Sequence, residues 1–150
     1  IALEDLQEAG IEMHYMSFYE NWRCQEKYYF AQEHCGFQPN PERTEGTYTK
    51  FASLDDKIDG LQYYTTHIKF GIGRATYDAA YDIRHRYIDR DEGVALVKRY
   101  DGEFPQKYFQ DCLDYMEINE EQFYETLDNF RSPHLWMKEA DEWKLRHTVK

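Results

Sequence analysis

The chain has 150 residues, enough for one domain of ordinary size that buries roughly 70 % of the surface its unfolded form exposes. It is 17 % aromatic yet carries a formal net charge of −11. The aromatics exclude intrinsic disorder, and the acidic balance argues against nucleic acid or an anionic membrane as a partner, since both reward basic surfaces. Cys24, Cys35 and Cys112 are odd in number and lack CxxC spacing, so neither a disulfide framework nor a tetrahedral zinc site is indicated. No apolar run approaches the ~20 residues of a membrane span, so no membrane insertion and a cytoplasmic location are expected.

The chain opens in mid-pattern: Leu3, Leu6 and Ala9, followed by Gly10, read as the end of a helix belonging to a longer protein. Ile11 to Met16 is an apolar-rich run suited to one strand. Cys24, Tyr28, Ala31 and Cys35 recur on one helical face, and Gly36 supplies a C-cap. From Phe37 to Phe51 the pattern dissolves into Pro39, Pro41, Gly46 and three threonines, which predicts a long loop.

Five helices are predicted beyond it. Ser53 with Asp56 reads as a capping box for a helix with Ile58, Leu61, Thr65 and Ile68 on one face, stopped by Gly71. The second runs from Ala75 to Arg86 with Ala75, Ala79 and Ile83 inward. Asp89 with Glu92 caps the third, which buries Val94, Val97 and Tyr100 and stops at Asp101-Gly102. Pro105 opens the fourth, carrying Phe109, Leu113 and Met116. Asn119 with Gln122 opens the fifth, with Phe123, Leu127 and Phe130, and Ser132-Pro133 breaks it before a short aromatic tail. The expected fold class is mainly α. Residues 1–36 read as the remnant strand and helix of an α/β nucleotide-binding domain, 37–52 as a linker and 53–150 as a short helical bundle.

Charge is unevenly distributed. Residues 67–90 hold Lys69, Arg74, Arg84, Arg86 and Arg90 against three aspartates, and residues 131–150 again hold five basic against three acidic side chains. Residues 91–130 hold three basic and eleven acidic ones. If the two basic segments meet, they form a cationic pocket on an acidic protein, an attraction for phosphate or carboxylate; if they do not, these are ordinary solvated helix faces. Lys69-Phe-Gly-Ile-Gly-Arg74 places cations at a helix end and a helix start around glycines. That arrangement suits phosphate and equally suits two successive helix caps. Asp55, Asp56 and Asp59 fit either magnesium or a helix dipole, and Tyr63, Tyr64, Tyr77 and Tyr81 fit either a stacked base or a core. No HExxH, GxSxG or Cys-based ligand spacing is present, so no metal site or catalytic nucleophile is indicated.

Five strings carry more information: Glu45-Gly-Thr-Tyr48, Ser53-Leu-Asp-Asp-Lys-Ile-Asp59, Ile68-Lys-Phe-Gly-Ile-Gly-Arg-Ala-Thr76, Lys98-Arg-Tyr-Asp-Gly-Glu-Phe-Pro105 and Phe130-Arg-Ser-Pro-His-Leu-Trp136. Together they resemble the C-terminal part of the bacterial N-acetyl sugar amidotransferases of surface-polysaccharide biosynthesis. These enzymes act in the lipopolysaccharide and pseudaminic-acid pathways and belong to the PP-loop ATP-pyrophosphatase superfamily. The resemblance implies that ATP, with magnesium, activates an N-acetyl amide of a (nucleotide) sugar and that ammonia from a partner glutaminase converts it to an acetamidino group. It implies a fragment that lacks the ATP-cradling Ser-Gly-Gly-Lys-Asp-Ser type loop, binds neither cofactor alone and is inactive alone. Lys69 and Arg74 are the expected clamp for substrate phosphate, Arg84 a third member, Asp78 the group orienting Arg74, and Glu45 and Thr47 the lining from the loop. The competing expectation is a non-catalytic module whose acidic stretch docks a glutaminase or another protein.

Overall fold

Caps set several of the helix boundaries in the computed structural model, which describes residues 2–150. The chain divides into two compact units, one ending at Phe37 and one running from Gln38 to Lys150. The first contains α1 (Leu3–Glu8), α2 (Met16–Tyr19) and α3 (Cys24–Cys35). Helix α3 ends as its glycine requires: Gly36 takes φ +68° and Phe37 N donates to Ala31 O at 3.1 Å, closing the last turn. The strand expected over residues 11–16 does not form. Residues 11–15 are irregular and the chain turns into α2 at Met16, because a strand needs a pairing partner and the only strands among the described residues pair with each other near the C-terminus.

The second unit holds α4 (Asp59–Phe70), α5 (Arg74–Arg84), α6 (Arg90–Tyr100), α7 (Phe109–Met116), α8 (Glu120–Phe130) and the hairpin β1 (Trp136–Glu139) and β2 (Glu142–Leu145). The capping boxes expected for α6 and α8 are both made. Asp89 accepts from Glu92 N and Glu92 from Asp89 N, and Asn119 and Gln122 exchange the same pair of bonds. The box expected at Ser53 is not made. Ser53 adopts φ +53°, and Asp56 instead accepts from Ile58 N at 2.9 Å, an Asx turn that delays the start of α4 to Asp59. Helix α5 stops at Arg84, two residues before the expected end, because Arg86 is left-handed at φ +62° and Tyr87 N closes back onto Asp82 O.

The core is built from Leu61, Ile68, Cys112, Leu113, Phe123, Leu127 and Trp136, with Phe104 and Phe109 edge-on to one another and to Phe123. Each fully buried aliphatic side chain here contributes about 1.5–3 kcal/mol. Helices α5 and α6 approach closely where Gly93 faces Ile83 and Ala79; a Cβ at Gly93 would lie 2.6 Å from Ile83 Cδ1. The aromatic tail is not irregular but a hairpin in the register Trp136↔Leu145 to Glu139↔Glu142. Its turn residues Ala140 and Asp141 both take positive φ, as a two-residue hairpin turn demands. Trp136 anchors it by donating Nε1–H to Ile68 O at 2.6 Å, near the end of α4.

Candidate functional site

The loop preceding α4 is folded against the helices. Thr44 N donates to Thr49 O and the Thr44 hydroxyl to Ala52 O, while Ala75 N, at the start of α5, donates to Gly46 O at 3.1 Å. Arg43 forms a two-pronged ion pair with Glu103, and Glu103 also accepts from Gly46 N at 2.7 Å. The Arg43 bond, ahead of the opposing effect of burial, holds the Glu103 carboxyl below its ordinary value. Tyr48 donates to Asp82 at 2.7 Å; burial, the larger effect, still pushes the Asp82 carboxyl up.

Three of the expected site residues are brought together by this packing. Thr47, completely buried, donates to Asp78 Oδ2 at 2.5 Å, and Arg74 Nε donates to both Asp78 oxygens at 3.0 and 3.2 Å. The Arg74 guanidinium lies 4.5 Å from the Tyr63 ring centre. Glu45 accepts from the backbone N–H groups of Gln106 and Lys107, capping the turn before α7 from outside. Lys69 and Arg84 lie elsewhere. Lys69 is exposed between the rings of Phe70 and Phe130, and Arg84 is exposed beside Tyr81, ten residues from Arg74 and so about 15 Å along α5.

The glycine-rich turn is legible in the structure as a helix N-terminus with its anion already in place. Gly71 ends α4 at φ +75°, and the carboxylate of Asp101, from the end of α6, accepts from Gly73 N at 2.9 Å, from Thr76 N at 3.1 Å and from the Thr76 hydroxyl. Free N–H groups and dipole at the start of α5 are thus satisfied by the chain itself.

Beyond Asp101 opens a cavity of about 810 Å³, formed by α5, α6, the end of α4 and the hairpin with the residues after it. Its walls include Ile72, Ala80, Ile83, Val94, Val97 and Leu145. Three cationic side chains also line it, Arg90 and Lys98 from α6 and Lys144 from β2, with His147 beyond them, all exposed and therefore at the rim. Asp101 is the one carboxylate among the described lining residues. One cation from each basic stretch therefore lines this cavity, Arg90 and Lys144, together with Lys98 from between them; Lys69, Arg74 and Arg84 do not line it. Of these cations Lys144 is paired with Glu139 at 2.9 Å, while Arg90 and Lys98 have no ion pair among the described residues.

His67 is the buried polar residue of this cavity. It is 8 % exposed, stands edge-on to Trp136 at 5.5 Å, and its Nδ1 is buried without a hydrogen-bond partner. Burial pushes its imidazole below the ordinary value; the charge of Asp101 opposes this and that of Arg131 adds to it, so the ring is neutral at pH 7. A buried polar atom left unpaired costs about 1–3 kcal/mol. The periodicity of α4 gave no reason to separate His67 from the core, and only its contacts do so. Cys112 is buried and its thiol is pushed up by burial, so it is a poor nucleophile. No group of three or more His, Cys, Asp or Glu side chains among the described residues is placed to hold a metal, and no helix among them is long and apolar enough to cross a membrane.

Fold and site together define a small, mainly α domain carrying a ligand-sized cavity with an apolar interior and a basic rim. Residues 45–150 match the family described as LPS biosynthesis protein WbpG-like, C-terminal domain, and the chain belongs to that family of lipopolysaccharide biosynthesis proteins. A comparison with curated proteins finds no match.

Proposed function

We propose that this chain is the C-terminal part of an ATP-dependent N-acetyl sugar amidotransferase, and that its basic-rimmed cavity holds the negatively charged part of the sugar substrate. The observation that carries the reading is the convergence of Arg90, Lys98 and Lys144 on one apolar cavity in a protein of net charge −11 that belongs to a lipopolysaccharide biosynthesis family. In the proposed reaction the amide oxygen attacks the α-phosphorus of ATP and pyrophosphate departs; ammonia from a glutaminase partner then attacks the activated carbon and AMP leaves, giving the acetamidino group. Magnesium would neutralise phosphate charge in that first step, and no donor cluster among the described residues of this chain is placed to hold it.

The part played by this chain is binding and orientation. Arg90, Lys98 and Lys144 would attract the substrate anion. The Arg74–Asp78–Thr47 brace would fix α5 against the loop, Glu45 would hold the turn before α7 from the same loop, and Lys69 and Arg84 would extend the positive field outward. The test is to incubate the enzyme carrying this chain with ATP, ammonia and N-acetylated sugar nucleotides and to follow products by mass spectrometry. AMP release coupled to replacement of the acetamido oxygen by NH is expected; AMP release with no change in the sugar, or no dependence on ATP, overturns the proposal.

A further inference from the structure

The lining of the cavity follows one face of each of two helices. On α6 it takes Arg90, Val94, Val97, Lys98 and Asp101, spaced i, i+4, i+7, i+8 and i+11; on α5 it takes Thr76, Ala79, Ala80 and Ile83, spaced i, i+3, i+4 and i+7. From Arg90 to Asp101 that face runs about 16 Å, so the space is a slot. The polar groups along it are already used. The Asp101 carboxylate is taken up by Gly73 N, Thr76 N and the Thr76 hydroxyl, Trp136 Nε1–H is given to Ile68 O, and His67 Nδ1 is covered by the protein itself.

A polyhydroxylated body laid in such a slot would lose its water without replacement hydrogen bonds. A hydrocarbon chain has no such loss, and each methylene it buries raises affinity by about fourfold. Charge stands only at the mouth. Arg90 and Lys98, exposed and without an ion pair among the described residues, lie eight residues apart, about 12 Å along α6, within joint reach of one phosphate. We propose that the slot binds a hydrocarbon chain bearing a phosphate head, with the chain along the lining faces of α5 and α6 and the phosphate at Arg90 and Lys98. This ligand class goes beyond the reading of the cavity as a site for the substrate anion and rests on it in one respect: both anions use the same cations, so the amphiphile excludes the substrate. A phosphorylated prenyl chain and a single-chain phospholipid share this chemistry.

The test is calorimetric titration of the chain with inorganic phosphate and with butyl, hexyl and octyl phosphate, each below the concentration at which it self-associates. Affinity is expected to rise about two- to fourfold per methylene along the series. Ala80→Trp, which fills the slot from an exposed position on α5, is expected to weaken octyl phosphate more than tenfold while leaving the circular dichroism spectrum intact. Lys98→Gln is expected to weaken octyl phosphate at least fivefold and to leave the binding of 1-octanol unchanged. Affinity that does not rise with chain length overturns the proposal, and so does a rise that Ala80→Trp leaves intact, since the chain then lies elsewhere. Farnesyl phosphate and lysophosphatidic acid distinguish the sources: either binding more tightly than octyl phosphate supports the proposal, and the tighter of the two names the source. Titration of UDP-N-acetylglucosamine with and without saturating octyl phosphate separates this inference from the substrate reading. Loss of sugar-nucleotide binding supports the shared cations, and binding that octyl phosphate leaves unaffected overturns them. No sugar-nucleotide binding in either condition, with octyl phosphate still bound, removes the substrate reading and leaves the hydrocarbon site standing.

Discussion

Replacing Asp101 by alanine tests how α5 and α6 are joined at the floor of the cavity. The carboxylate accepts from Gly73 N at 2.9 Å, from Thr76 N at 3.1 Å and from the Thr76 hydroxyl, and Gly73 is buried. Loss of a helix cap costs about 1 kcal/mol, and hydrogen bonds to a charged group contribute about 1.5–3 kcal/mol each without being additive. A net loss of about 3 kcal/mol follows, since water can reach part of the half-buried Thr76 but not Gly73. At about 2–4 °C per kcal/mol for a chain of this size, the melting temperature should fall by about 6–12 °C. Asp101→Asn keeps one accepting oxygen and should lose about 1 kcal/mol. Thermal unfolding by circular dichroism measures the totals, and amide hydrogen exchange at Gly73 and Thr76 localises them. An alanine variant within about 0.5 kcal/mol of the parent, or unchanged exchange at those two amides, refutes the assignment of Asp101 as the cap.

Gly93→Ala should destabilise by about 1–3 kcal/mol, because the new methyl would lie 2.6 Å from Ile83 Cδ1; chemical denaturation measures it, and Gly46→Ala gives a comparison at a position with nothing within 4 Å but a φ of +80°. Glu103→Gln should cost about 2 kcal/mol by weakening the Arg43 pair and the bond from Gly46 N. Because the folded-state Glu103 pKa lies below the unfolded one, its contribution is complete above the ordinary carboxylate range and is lost as pH falls below about 4.3; denaturation curves of the Gln variant should lose that acid slope. His67 has the same sign for a different reason. Its folded-state value is lowered, so the unfolded chain takes up the proton first and stability should decline as pH falls below about 6.5, with Asp101 and Arg131 the charged groups acting on the ring; His67→Gln should flatten this decline.

Local signals carried much of the fold. Asp89-Glu92 and Asn119-Gln122 announce helices whose caps form as expected, and Gly36 and Gly71 stop theirs because each takes a left-handed φ. The hairpin was illegible because its turn is Ala140-Asp141, without the Asn-Gly signature that usually marks two residues of positive φ, and its anchor, Trp136 on Ile68 O, is remote in sequence. Ser53 misled for a related reason: its spacing to Asp56 matches a capping box, but only the packed loop shows that Asp56 is bound to Ile58 N. The site was half legible. Charge counting located the two basic stretches that each supply one cation, yet which cations line the cavity depends on how α5, α6 and the hairpin pack, and this selects Arg90, Lys98 and Lys144 over Lys69, Arg74 and Arg84.

Binding of UDP-N-acetylglucosamine to the chain, measured by calorimetry over a range of salt concentrations and repeated with Arg90→Glu and Lys98→Glu, tests most directly whether those cations form an anion site. The account predicts affinity that falls as salt is raised and drops at least tenfold in each variant, with a shallower salt dependence. Affinity indifferent to both salt and charge reversal would contradict it.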